Sequence, residues 1–108
     1  NPDLSTPRWN AFREAYAKDH NGEQPPSLST NYYDAVYMIK RAIEETGVTG
    51  DPKKLKAERR KVADFCANVK NFDGLLFNWD MEDGIPTNKP IYLLTIQDGA
   101  KKLVKEVR

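Results

Sequence analysis

Three helices followed by two or three strands, in one small α/β unit, is the architecture this sequence predicts. Three observations predict it. A helical apolar stripe runs through Thr30 to Gly47. Thr6-Pro7 and Asp51-Pro52 repeat the pattern of a capping side chain followed by proline at the first helical position. After Gly74 the apolar spacing changes from helical to alternating. Helices are expected over about 7–20, 31–46 and 52–70, and strands over about 75–79, 91–97 and 102–107.

Asn1 to Ser5 reads as a lead-in. In the first helix Trp9, Phe12 and Tyr16 fall on one stripe with Ala15 beside them, and Arg8, Glu14 and Lys18 face away. Asn21-Gly22 ends it, because both residues tolerate the left-handed conformation. Gln24-Pro25-Pro26 forms an extended connection. Thr30 or Asn31 caps the second helix. Its inner face is Tyr32, Ala35, Val36, Ile39, Ala42 and Ile43, and Tyr33 and Tyr37 form a second stripe open to neighbouring structure. Gly47 is a natural stop. The third helix carries Leu55, Val62, Phe65, Cys66 and Val69 on one side. Lys53, Lys54, Lys56, Arg59, Arg60 and Lys61 crowd its first half, where positive charge is mildly unfavourable, and read as a solvated face.

Leu75, Phe77 and Trp79 share one face of the first strand. Asp80 to Lys89 is a polar turn rich in breakers. Ile91 to Gln97 is apolar on both faces, as in a strand covered on both sides within a layered sheet. Asp98-Gly99 is a strong turn signal, and Lys102 to Val107 suits a short charged edge strand.

Composition bounds the function. The chain of 108 residues has 39% apolar and 31% charged residues, a thin supply for a self-sufficient core. A net charge of +1 gives no reason to expect nucleic acid or an acidic membrane. The lone cysteine, Cys66, excludes an internal disulfide and a multi-cysteine metal site. It reads as a small buried hydrophobe. No apolar run approaches a membrane span. Asp80, Glu82 and Asp83 lack the alternation of a calcium loop and read as a solvated turn. His20 has no second histidine to pair with and sits at a helix end, where a cation is favoured. With no nucleophile–base pair, phosphate loop or metal cluster in view, no enzyme and no cofactor are expected.

The order of several short motifs resembles the C-terminal portion of the type I periplasmic solute-binding proteins that serve ABC importers, the branched-chain amino-acid-binding group among them. These motifs are Phe12 to Tyr16 with the breaks after it, Tyr33-Asp34-Ala35-Val36, Gly50-Asp51-Pro52, Phe72-Asp73-Gly74, Phe77-Asn78-Trp79-Asp80, and Lys89-Pro90-Ile91 leading to Ile96-Gln97-Asp98-Gly99. The turn after Trp79-Asp80 is slightly longer than the family pattern. The resemblance implies two α/β lobes joined by crossover strands, with this chain as a C-terminal fragment and Ile91 to Gln97 as the last crossover. It implies an extracytoplasmic substrate-binding component for branched-chain amino acids or related solutes. Lobe closure on the solute would present the closed form to a membrane permease. The remainder of the two-lobed protein would be its main partner, and the isolated segment would self-associate. Solute contacts are implied at Leu28, Ser29, Asn31 and Tyr32, where a helix N-terminus and an aromatic ring supply polar and apolar contact. In the alternative reading of those residues, Asn31 is a cap and Tyr32 packs in the core. The rival functions are a ligand-sensing receptor of the same fold, and a small protein-interaction module docking through its basic third helix.

Overall fold

The computed structural model describes residues 6–26 and 28–107; the Asn1–Ser5 lead-in lies outside the described residues. Helix α1 spans Pro7–Asp19, α2 Ser29–Thr46 and α3 Leu55–Asn68. Among the described residues six strands follow: β1 Phe72–Asp73, β2 Asn78–Trp79, β3 Met81–Glu82, β4 Ile85–Pro86, β5 Ile91–Gln97 and β6 Ala100–Val107. They pair antiparallel as three separate two-stranded ladders, β1 with β2, β3 with β4 and β5 with β6.

Several helix ends have a local cause. The Thr6 hydroxyl accepts from the Trp9 N–H at 3.1 Å, with Pro7 behind it, a cap worth about 1 kcal/mol. After α1, Asn21 and Gly22 turn the chain with φ of 52° and 85°. Gly47 ends α2 in the left-handed region at φ 66°. Asp51-Pro52 makes a turn in which the Asp51 carboxylate accepts from Lys53 N–H at 2.9 Å. The regular helix therefore starts at Leu55 and not at residue 52.

The aromatic stripe of α1 packs inward. Trp9 is buried and stacks on Phe12 at 5.6 Å. Phe12 meets Tyr33 of α2 edge-on at 5.3 Å. Tyr33 thus closes the α1–α2 contact, whereas Tyr37 packs on Tyr33 and stays 45% exposed, open to other structure. Ala15, expected beside that stripe, is exposed.

Of the inner face expected of α2, the structure bears out Ala42 alone. Ala42 is buried, but Tyr32, Ala35, Val36, Ile39 and Ile43 are all exposed. The helix instead buries Thr30, Asp34 and Ala42, spaced four and eight residues apart on one face. Polar bonds to the loop after β1 explain the choice, because they hold this face against the rest of the chain and leave the apolar stripe outward.

The strands also differ from expectation. Residues 75–77 are a bend, and only Asn78–Trp79 pair, against Phe72–Asp73. Leu75 is buried all the same. The polar stretch 80–89 contains a tight hairpin, β3–β4, whose turn is Asp83-Gly84 with φ of 49° and 81°. Its strands are tied to the end of α3 by Met81 N–H to Val69 O and Gly84 N–H to Ala67 O, both 2.8 Å. Strand β5 is not covered on both sides. It pairs with β6 as a hairpin turning at Asp98-Gly99, with a bulge between Leu93 and Leu94. Ile91, Leu93, Ile96, Val104 and Val107 stand exposed.

Candidate functional site

Leu28, Ser29, Asn31 and Tyr32 lie together at the head of α2. Leu28 is the residue that caps the helix, and it makes no side-chain capping bond. Asn31 lies inside the helix, so it is not the cap. Tyr32 is 70% exposed, so it is not in the core of this chain either. Leu28 is exposed, and Ser29 and Asn31 are half-buried. Several first-turn N–H groups already have acceptors: Ser29 N–H donates to Pro26 O, and Asn31 and Tyr32 N–H to Leu28 O. The rim exposes a phenol with its ring and an isobutyl side chain, with two small polar residues half-buried beside them.

Directly below this rim is a polar junction that joins three parts of the sequence. The buried Asp34 carboxylate accepts from Leu75 N–H at 2.9 Å and from Trp79 Nε1–H at 2.8 Å. The Leu75 carbonyl accepts from the Thr6 hydroxyl at 2.9 Å, so both backbone groups of Leu75 are satisfied by distant side chains. Arg8 pairs with Asp73 at 2.6 Å and donates to the Asp73 and Gly74 carbonyls at 3.1 and 3.3 Å. Arg8 therefore does not face away, as its place on α1 suggests. Gly74 fits because it has no side chain. A Cβ there would meet Asp34 Oδ2 at 2.6 Å, Phe77 O at 2.7 Å and Trp79 Nε1 at 2.8 Å. Asp34, Gly74 and Trp79 are the residues of three of the short motifs, and the fold brings them into contact.

A second buried carboxylate, Glu58 of α3, holds the loop after α2. It accepts from the Thr49 hydroxyl at 2.6 Å, Thr49 N–H at 2.9 Å and Gly50 N–H at 3.0 Å. The Thr49 bonds above all, then Gly50 N–H and the nearby Lys54 charge, hold its carboxyl below the usual range, against the opposing effect of burial. Sequence reasoning missed both carboxylates. A signal existed for each: Glu58 sits between Leu55 and Val62 at helical spacing, and Asp34 lies four residues after Thr30 and eight before Ala42.

The remaining candidates resolve locally. Asp80 is not simply a solvated turn residue: its carboxylate accepts from Asn71 N–H at 2.6 Å and Asn88 Nδ2–H at 3.1 Å, while Glu82 and Asp83 are exposed. Among the described residues, no three His, Cys, Asp or Glu side chains gather as a metal site. The His20 ring stacks on Tyr16 at 3.9 Å. Burial pushes the Cys66 thiol up, away from the reactive thiolate. On α3, Arg60 pairs with Asp64 at 2.9 Å and the other early cations stand exposed. A cleft of about 540 Å³ separates the loop at Phe77–Asn78 from the base of the β5–β6 hairpin, with Lys89 and Tyr92 on its walls.

No family model matches the sequence. No curated protein matches it either. The crystal structure of a leucine binding protein, LivK, from Thermotoga maritima MSB8 does match, with a TM-score of 0.72 and 24% identity over 97% of this chain. The chain spans 27% of the length of that protein. Over that 97% the backbone of the chain therefore follows part of the fold of that structure, a segment of a periplasmic-binding-protein-like fold.

Proposed function

We propose that this chain is the C-terminal segment of a solute-binding protein. In this reading it belongs to the substrate-binding component of an ABC-type importer, outside the cytoplasm, and takes branched-chain amino acids or related small solutes. The observation that carries the reading is the match of 97% of the chain to a leucine-binding protein at a TM-score of 0.72. Leu28, Ser29, Asn31 and Tyr32 contribute to the solute site from one wall. The exposed Tyr32 ring and Leu28 side chain favour an aliphatic part of the solute, and Ser29 and Asn31 favour its polar end. Closing two lobes on the solute shifts a hinge equilibrium, and the closed form docks on a permease.

Calorimetric titration of the intact protein with leucine, isoleucine and valine tests this reading. Saturable binding of one solute per protein, weakened by Tyr32→Ala, is expected. Absence of heat with these and with aromatic and amide amino acids contradicts it.

A further inference from the structure

The observations around Asp34 carry further than a structural lock. We propose that Asp34 is a positioning residue for the solute site at the head of α2, an inference that rests on the solute-binding reading above. Asn31 and Asp34 are three residues apart and lie on one helical face, with Thr30 beside them and buried. The Asp34 carboxylate uses its two oxygens for two different donors, the Leu75 N–H and the Trp79 indole N–H. Two bonds in different directions fix the rotation of the helix as well as its distance from the loop. The loop is itself anchored from α1, through Thr6 to Leu75 O and through Arg8 to Asp73 and Gly74. The rim residues thus stand on a helix whose orientation is set one turn below them by a carboxylate. A residue that holds a binding group in place from outside the site changes affinity without touching the ligand.

Asparagine at this position has the shape of aspartate but one acceptor oxygen and an amide that donates. Leu75 N–H and Trp79 Nε1–H meet different oxygens of Asp34, so in this geometry one of them faces the amide NH2 instead, and the helix head is released from one anchor. Trp79→Phe removes the same anchor from the other side and keeps the ring. Glu58→Gln is the control. It weakens the other carboxylate junction, at the far end of α2, with its comparable set of N–H donors.

The test is solute affinity by calorimetry on the intact protein and the three variants, each at a temperature where circular dichroism shows it folded. Asp34→Asn is expected to weaken binding about tenfold, the scale of one hydrogen bond to a charged group. Trp79→Phe is expected to weaken it in the same direction, and Glu58→Gln to leave it unchanged despite its own loss of melting temperature. Equal affinities for Asp34→Asn, Trp79→Phe and wild type overturn the proposal, and so does an equal loss in Glu58→Gln, which marks a general effect of stability. If Asp34→Asn does not fold, Trp79→Phe against Glu58→Gln decides in the same way. A wild-type protein that binds none of the solutes overturns the solute-site reading itself, and the positioning role with it.

Discussion

At the scale of single residues, this segment is held by buried carboxylates that face N–H and O–H donors. Such bonds are stronger than neutral ones, and removing the Asp34 acceptor strands the buried Leu75 N–H and the half-buried Trp79 indole N–H at about 1–3 kcal/mol each. The exposed Arg8–Asp73 pair, with side chains 45% and 76% accessible, contributes little by comparison. The tightest point is Gly74. Gly74→Ala brings a methyl group against the Phe77 carbonyl as well as two polar side-chain atoms, and a backbone oxygen cannot swing away. A loss of about 1–3 kcal/mol is expected, read as a lower urea midpoint of the intact protein. Glu58 gives a pH signature. Its carboxyl is held below the ordinary range in the folded chain, so its contribution is complete above that range. The contribution is lost as pH falls through the usual carboxylate value towards the lowered folded one. From about pH 5 downward the wild-type urea midpoint should therefore drop more steeply than that of Glu58→Gln. Parallel curves would show that the Thr49 and Gly50 bonds do not bias the carboxyl.

At the scale of elements, helix caps and turns were legible because they depend on neighbours in sequence. Thr6-Pro7, Asn21-Gly22, Gly47 and Asp98-Gly99 act as their chemistry dictates. The orientation of α2 was not legible. Its apolar stripe is genuine, but apolar spacing identifies a face that seeks cover and does not say which structure covers it. Here Asp34 and Thr30 turn the other face towards the chain's own loop, and Tyr32, Val36, Ile39 and Ile43 stand outward. The β3–β4 hairpin was hidden for a related reason: a strand of two residues has no periodicity, and only Asp83-Gly84 marked it. Of the candidate site, the rim residues were reached through resemblance, whereas Asp34 was passed over because its partners lie some forty residues away. The outward stripe yields a prediction. Val36→Ser with Ile39→Ser should change the stability of the isolated segment by no more than about 0.5 kcal/mol, as surface substitutions do. In the intact protein, where the stripe is expected to be covered, the same pair should cost more than about 2 kcal/mol. Equal losses in the two contexts, by urea unfolding, would show that the stripe stays uncovered.

At the scale of the whole molecule, the segment is extended. Its radius of gyration is 17.1 Å and it measures 58 × 34 × 19 Å. A compact domain of this length has a radius of about 13 Å. Its accessible surface is 7964 Å², against roughly 6,100 Å² for a compact monomer of its mass. The excess is of the size that a specific interface buries. Much of it is the α2 stripe and both faces of the β5–β6 hairpin. Sedimentation of the isolated 108 residues should accordingly show concentration-dependent association. A strict monomer at high concentration would mean that these faces do not seek a partner.

The proposal that joins the three scales is that these residues form part of a two-lobed protein that closes on a small solute. Small-angle X-ray scattering of the intact protein, with and without millimolar leucine, isoleucine and valine, tests it most directly. A smaller radius of gyration is expected when solute is present, at unchanged mass. An identical scattering curve in every condition would contradict it.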